Sequence, residues 1–512
     1  MLRLTLLIFF CLQSPSLLVD SARILGIFPI PSLSHQVVFR ALMLELAKRG
    51  HELVIITPNP ALPKERPPDN VTEIDTGHTY QLIAKMMEQA TGLNQLKRGV
   101  VMDADTMTSM DSSENILSLV AYHFEMPEVK KLLEDKSQKF DLVIVEAITN
   151  YALIVSSIFK APAILFSSFH GFPEHFEAMG AVAWHPMFYP HFYRNKYRNL
   201  TIWEKIQEIN LEWKILRMVR QGEDDENALL KKNFGPDAPT VAEMKKNVQM
   251  LFLNSHPIFG NNRPVPPSVI HLGALHLQPV KKLPEVSFYY LVLSLIFNYI
   301  SYVFGTNVRP SQMDQDLLDA FLDGFEALPH DILWKFDGDN LKRIPKNVKI
   351  QKWFPQRDLL MHQKIKVFVT QGGLQSTDEA IDAAVPLVGI PMLGDQWYNV
   401  NKYVELALGR KKAVTRVKYA FSSTRPLELD DFARQRPQSP LERAVWWTEH
   451  VLRHGGTHLR APGANTTWKE YYMAEVLVTV FGISAAFLAI SLILCSKLLI
   501  AFKGTTMKAK QS

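Results

Sequence analysis

The sequence is poor in cysteine. Of 512 residues only 2 are cysteine, Cys11 and Cys495, and both sit in apolar runs near the ends, so the long stretch between them carries no thiol. That absence excludes a disulfide-stapled scaffold and a cysteine-based metal site; the interior must be held by its own hydrophobic core. An excess of charge of one sign is also missing. Lys and Arg number 56 against 51 Asp and Glu, a net +5, and the basic residues are scattered with no interleaved aromatic patch, which argues against nucleic acid as a partner. Two phosphate-binding fingerprints are absent as well. Neither G-x-G-x-x-G nor G-x-x-x-x-G-K-[ST] occurs, so the usual dinucleotide site and the ATP-type phosphate loop are excluded.

What the chain does have is apolar sequence, 47% against 21% charged, in a length that suits two domains plus extra segments. Its organising stretch runs from Trp353 to Gln396. Two β-rich runs, Ile365 to Thr370 and Val385 to Met392, bracket the turn Gly372-Gly373 and a segment of helical period, the pattern of a βαβ unit in a parallel sheet. The glycines let the backbone bend tightly and approach a bound group. The helix start adds unpaired N–H groups and the positive end of a dipole, so an anion, best of all a phosphate, is expected there.

The first half opens with the same logic. Ile24 to Ile30 reads as a strand, Gln36 to Arg49 as a helix with Phe39, Leu42, Met43 and Leu46 on one face, and Glu52 to Thr57 as the next strand. A second unit follows in Asp141 to Glu146, Tyr151 to Phe159 and Ala163 to Ser167, and Gln249 to Asn254 and Val269 to Leu275 complete the sheet. His35, between the first strand and its helix, and Glu146, ending its own strand, then stand at the same carboxyl edge, where such sheets bind ligands. A histidine oriented by a carboxylate can take a proton from a hydroxyl, help worth about 100- to 10,000-fold in rate. On the residues alone, a capping or surface histidine is the simpler account of His35.

Between Phe169 and Lys246 the pattern weakens. Aromatics crowd from Phe172 to Tyr193, and an amphipathic stretch runs from Trp203 to Arg220. A lipophilic pocket, a face resting on a bilayer and ordinary core are all compatible, with core the default. In the second half, Val303 to Thr306, Ile332 to Phe336 and Val348 to Trp353 read as strands. A helix capped near Asp314 would turn Leu317, Leu318, Phe321, Leu322 and Phe325 inward.

Residues 1–22 have the charge, apolar run and small-residue end of a cleavable secretory signal. Residues 476–495 carry no charge and suffice for one membrane span; with Lys497, Lys503, Lys508 and Lys510 behind it, the basic tail 496–512 is placed in the cytosol and the bulk of the chain on the other side. Asn70, Asn199 and Asn465 begin sequons for glycosylation. Val286 to Phe304 is equally apolar, and a second span there would separate the two halves; it is read as an aberrant insertion, an atypical linker over 284–299.

The run Phe368-Val369-Thr370-Gln371-Gly372-Gly373, with Ser376, Glu379, Pro386, Pro391 and Asp395-Gln396, resembles the donor-site signature of the UDP-glycosyltransferases, above all the membrane-bound animal, arthropod-type enzymes. The resemblance extends in patches over nearly the whole chain. It implies an α/β protein of GT-B type, in which two Rossmann-like domains, 23–283 for the acceptor and 300–460 for the UDP-sugar, face each other across a cleft, followed by one C-terminal transmembrane helix. It also implies roles. His35 would be the acceptor base, with Glu146 where the family usually has Asp; the extra methylene keeps the charge and lengthens the reach. Trp353, otherwise readable as core, would stack the uracil, and Gln356 would meet uracil or ribose. Gly305 and Thr306 fall where the family turns against the diphosphate, joined there by Gly372, Gly373 and Gln375, with Ser376 also among the donor-binding residues. Gln371 replaces the histidine of many relatives, weakening phosphate support by about 1 kcal/mol if a charge-assisted bond becomes neutral. Glu379 would hold the ribose, and Asp395 and Gln396 the sugar hydroxyls.

No DxD pair lies beside this site, so neither metal nor another cofactor is expected. The expected activity is inverting transfer of a sugar, glucose first, from a UDP-sugar to a hydroxyl of a small lipophilic acceptor. Detoxification at the endoplasmic reticulum membrane is the implied setting, with the tail Lys508-Ala509-Lys510-Gln511-Ser512 resembling a dilysine retrieval signal. The rival is an impaired family member, a membrane-tethered nucleotide-sugar-binding or partner protein; homo- or hetero-oligomerisation stays open.

Overall fold

In the computed structural model, residues 21–62, 68–91, 112–183, 185–194, 196–283, 299–303, 310–339, 341–392, 394–406, 409–411 and 437–509 are described. The expected leader up to residue 20, most of the linker, and Gly305 and Thr306 lie outside them.

Two parallel sheets carry the fold. The first comprises β1 (Arg23–Ile27), β2 (Glu52–Thr57), β3 (Val71–Asp75), β4 (Leu142–Glu146), β5 (Ala163–Ser167), β6 (Val248–Leu253) and β7 (Val269–His271), in the order β3-β2-β1-β4-β5-β6-β7. The second comprises β8 (Tyr299–Val303), β9 (Asp331–Lys335), β10 (Val348–Gln351), β11 (Ile365–Thr370), β12 (Leu387–Gly389) and β13 (Gly409–Lys411), in the order β10-β9-β8-β11-β12-β13. Continuous apolar runs produce this, because a parallel sheet is covered on both faces. Along Leu142-Val143-Ile144-Val145, alternate side chains enter separate buried clusters on opposite sides of the sheet.

In each sheet the strand order reverses once, between β1 and β4 and between β8 and β11. Helices leave such a pair toward opposite faces, opening a crevice outside the carboxyl ends. Both crevices belong to the cleft of a GT-B fold.

The helices that matter are α1 (Leu33–Lys48), α2 (Pro173–Met179), α3 (Ile202–Phe234), α4 (Gln315–Glu326), α5 (Leu374–Asp382), α6 (Gln396–Glu405), α7 (Pro440–His454) and α8 (Ala474–Ala509). Helix α1 buries the face its period announced, Phe39, Leu42, Met43 and Leu46, together with Val38. At about 1.5–3 kcal/mol for each large apolar side chain removed from water, that face fixes the helix and everything borne on its first turn. Helix α4 is capped by Asp314, whose Oδ1 accepts from Leu317 N at 3.0 Å, and its five apolar side chains are buried as expected.

Several expectations change. Helix α1 starts at Leu33, so His35 lies within its first turn instead of ahead of it. The strand expected at Val303 to Thr306 is Tyr299–Val303, hydrogen-bonded to both β9 and β11. The described end of the supposed insertion is therefore a strand of the second sheet, paired on both of its edges. Helix α7, in sequence part of the second half, packs on α1, and its Ala444, Val445 and Val451 join the core of the first sheet. The amphipathic stretch lies in the 33-residue helix α3, opened by a capping box at Thr201 and Glu204; Leu211 and Ile215 enter the core as the default reading had it, while Ile202, Trp203, Ile206, Ile209 and Trp213 are exposed. Helix α8 contains an apolar span, Ala474–Leu498, none of it buried.

Candidate active site

From β1 the chain runs through Pro31 and Ser32 into α1, presenting His35 over the end of β4. His35 Nδ1 lies 2.7 Å from Glu146 Oε1, and the second oxygen, Oε2, accepts from Ile30 N at 3.2 Å. Glu146 is fully enclosed while His35 keeps 17% of its side-chain surface. The extra methylene relative to aspartate is thus absorbed: the carboxylate reaches the imidazole and is anchored behind it. Phe169 packs against His35 with ring centroids 5.4 Å apart.

Facing this edge is a cavity of about 330 Å³ between the two lobes. Leu33, Ser34 and Val37 of α1 line it on one side; Trp353, Gln356, Gln371, Gly373, Gln375, Ser376, Glu379 and Gln396 line it on the other. Eight expected donor residues thus converge on one hollow. Glu146, His35, Gly372 and Asp395 stand outside its lining, in the walls.

The polar groups are tied to one another. Gln356 Nε2 donates to Ser376 Oγ at 3.1 Å and to Glu379 Oε2 at 2.6 Å. Burial pushes the Glu379 carboxyl up to about 7 against the pull of that bond and of Arg357. Gln371 is 3% exposed; its Oε1 accepts from Gln396 Nε2 at 3.4 Å, while its Nε2 finds no acceptor among the described residues. A buried donor without an acceptor is costly, and a ligand oxygen in the cavity would satisfy it.

The two glycines differ. Gly372 takes φ +96°, and a Cβ there would meet Val400 Cγ2 at 2.5 Å. Gly373 has φ −61°, precedes α5 and has open space beside it, on the cavity. The expectation that both are needed for the bend holds for Gly372 alone; Gly373 leaves room for the ligand.

Sequence reasoning missed several participants. Lys335, ending β9, lines the cavity with its ammonium 4.9 Å from the Trp353 ring, and burial lowers its pKa. Asn399 donates to Gly372 O at 2.9 Å and to Asp395 Oδ2 at 2.8 Å, and its Oδ1 lies 2.9 Å from His170 Nε2 of the first lobe. Burial holds His170 down at about 4, so neutral imidazole makes this bridge. Gln375 Nε2 reaches Ser168 O at 3.0 Å and His276 Nε2 meets Gln375 O at 3.2 Å, again across the lobes. Only Asn399 carried a signal, its helical spacing four residues from Asp395. Burial pushes Asp395 up to about 6, with the Asn399 bond and the charge of His35 pulling the other way.

The family model "UDP-glucoronosyl and UDP-glucosyl transferase" matches residues 25–511. The chain belongs to that family. This transferase is 40% identical, over 93% of its length and 96% of the relative's, to the ecdysteroid UDP-glucosyltransferase of Lymantria dispar multicapsid nuclear polyhedrosis virus. It is 29% identical to UDP-glucosyltransferase 2 of Dactylopius coccus over 97% and 96% of the two chains. Among solved structures, the Arabidopsis thaliana protein UGT89C1 complexed with UDP shares the fold with a TM-score of 0.51 at 14% identity, covering 84% of this chain and 100% of that one. The transferase is accordingly an arthropod-type UDP-glycosyltransferase of GT-B fold.

Proposed function

We propose that the transferase moves glucose from UDP-glucose, with inversion, to a hydroxyl of a small lipophilic acceptor. The observation that carries this reading is the 2.7 Å contact of His35 with an enclosed Glu146 at the lip of the donor cavity. Glu146 holds the proton on Nδ1, leaving Nε2 to accept the acceptor's hydroxyl proton as its oxygen attacks the anomeric carbon. The bond from that carbon to the β-phosphate oxygen breaks, UDP departs, and an α-linked donor yields a β-glycoside. Trp353 would stack the uracil, Gln356 and Glu379 would hold the ribose, and Asp395 and Gln396 the sugar. The amides at the start of α5, with Gln371, Gln375 and Ser376, would take the diphosphate; neither metal nor cofactor enters any step.

For the acceptor, the first lobe offers a second cavity of about 130 Å³, walled by Ile116, Leu117, Ile148, Phe172, Met218 and Val219. Phe172 stacks edge-on with the same Phe169 that touches His35. The viral relatives are named for ecdysteroids, and the apolar side of this hollow suits part of such a lipophilic molecule. The reading of an impaired binding protein leaned on Glu146 replacing aspartate, and that ground weakens because Glu146 meets the imidazole.

We place the transferase in the endoplasmic reticulum membrane, the lobes lumenal and the span Ala474–Leu498 crossing once. There the leader would be removed, Asn199 glycosylated and foreign lipophiles conjugated; Asn70 suits modification poorly, its amide donating to Ala47 O and His51 O. The test is glucosyl transfer from UDP-glucose to a simple phenol by microsomes expressing the chain. Activity that survives in a folded His35→Ala protein would overturn the mechanism.

A further inference from the structure

Helix α3 exposes a stripe that the fold does not use. Ile202, Ile206, Ile209 and Trp213 are 77%, 51%, 51% and 60% exposed. At 3.6 residues per turn they fall within about 60° of one another around the helix, over a length of roughly 17 Å. The buried residues Leu211, Glu212 and Ile215 lie toward the other side, against the protein. Trp203 flanks the stripe at 65% exposed. Such a face is unfavourable in water unless something covers it.

Charge says what covers it. Between Ile202 and Arg217 the exposed charged residues are Lys205, Lys214 and Arg217, all basic. The acids of this stretch are withdrawn: Glu204 pairs with Lys196, Glu208 pairs with Arg194, and Glu212 is buried. A helix with an apolar stripe, tryptophans beside it and only basic residues at its margins fits the boundary between headgroups and acyl chains, where anionic lipid attracts the lysines.

Position agrees. About two turns beyond Trp213, on the line of the same stripe, Arg220 pairs with Glu177 of α2 at 3.4 Å. The next residue, Ala178, accepts through its carbonyl from Arg460 at 3.3 Å, and the segment Ala461 to Ala464 presses on Gly180. That segment is the stem of the apolar span, which begins at Ala474 after Tyr471, Tyr472 and Met473, each more than 60% exposed. Aromatic residues at this height suit the membrane interface.

We propose that the α3 stripe, Ile202 to Trp213, lies in the surface of the bilayer the span crosses, as a second, peripheral contact beside the anchor. The inference rests on the membrane placement argued above and adds an orientation to it: the lobe that takes the lipophilic acceptor rests on the phase in which such molecules dissolve.

The full chain, with Cys11 and Cys495 replaced by serine, is given a single cysteine by Ile206→Cys, Val480→Cys or Ser137→Cys. It is labelled with an environment-sensitive dye and reconstituted into phosphatidylcholine–phosphatidylserine vesicles carrying a doxyl quencher on the acyl chain. The dye at Ile206 is expected to shift to the blue and lose emission to the quencher, as at Val480 in the span, while the dye at exposed Ser137 does neither. Charge reversal at Lys205 and Lys214 should reduce the quenching at Ile206 and leave that at Val480 unchanged. Quenching at Val480 with none at Ile206 would overturn the proposal while leaving the anchor intact. Self-quenching at Ile206 that grows with protein density, without doxyl quenching, would overturn it in favour of a second copy. No quenching at Val480 would sink the membrane placement itself. Transfer to a water-soluble phenol is expected to persist in the charge-reversed protein, so this result is separable from the chemistry at His35.

Discussion

Glu146 divides its carboxylate between two tasks: Oε1 meets His35 Nδ1 at 2.7 Å and Oε2 meets the backbone N–H of Ile30 at 3.2 Å. The second bond locks the carboxylate to the turn that starts α1, so imidazole and carboxylate move as one unit. Replacing His35 by Ala is expected to lower kcat by about 100- to 10,000-fold, and Glu146→Gln to lower it less, since the amide keeps the shape and loses the charge that stabilises an imidazolium. Glu146→Asp should also lose activity, because here the shorter side chain cannot hold both partners. Steady-state kinetics with calorimetric UDP binding checks this; loss of UDP affinity in these variants would show that the dyad acts on binding.

Gly372 and Gly373 should separate in the laboratory. Gly372→Ala places a side chain at φ +96° and 2.5 Å from Val400 Cγ2, so the strain of about 1–3 kcal/mol plus a clash should lower Tm and abolish UDP binding together. Gly373→Ala meets no protein atom within 4 Å, so Tm should hold while UDP affinity falls. Equal Tm losses would contradict the assignment.

Gln371 Nε2 is the buried donor that a bound diphosphate or sugar oxygen would satisfy. Gln371→Ala should weaken UDP-glucose binding by about 1 kcal/mol, the worth of one neutral hydrogen bond, or roughly fivefold in Kd. An unchanged Kd would mean that the amide serves only its partner Gln396.

Glu379 sets a pH signature. Its carboxyl is raised to about 7 by burial, above the ordinary 4.5 of a glutamate, so the folded state favours its neutral form. The stability this lends is fully present below about pH 4.5 and is lost as pH rises through about 7. Against the Glu379→Gln protein, the wild type without ligand should therefore lose Tm between pH 5 and pH 8, and the two should run parallel below that window. Seven buried histidines among the described residues are held low, among them His170 and His276 at about 4, and act in the opposite direction on both proteins as pH falls below 6.5. The difference between wild type and variant, followed by thermal melts, is thus the quantity to read.

Local chemistry was enough to read the turn after β11, the apolar faces of α1 and α4, and a histidine and a glutamate at one sheet edge, because period, glycine and apolar runs act over a few residues. The same locality left open the charge-free run Val286 to Phe304, of which the described part, Tyr299–Val303, is a strand of the second sheet, and Trp203 to Arg220, where an amphipathic pattern does not say whether protein or something else meets its apolar side. Tertiary structure alone decided that Glu146 reaches His35, that Asn399 joins Gly372 to His170 of the other lobe, and that α7 returns to the first sheet. His35 with Glu146, Asn399 with His170 and α7 with the first sheet are each more than 100 positions apart, and only the packing of whole layers brings such residues into contact.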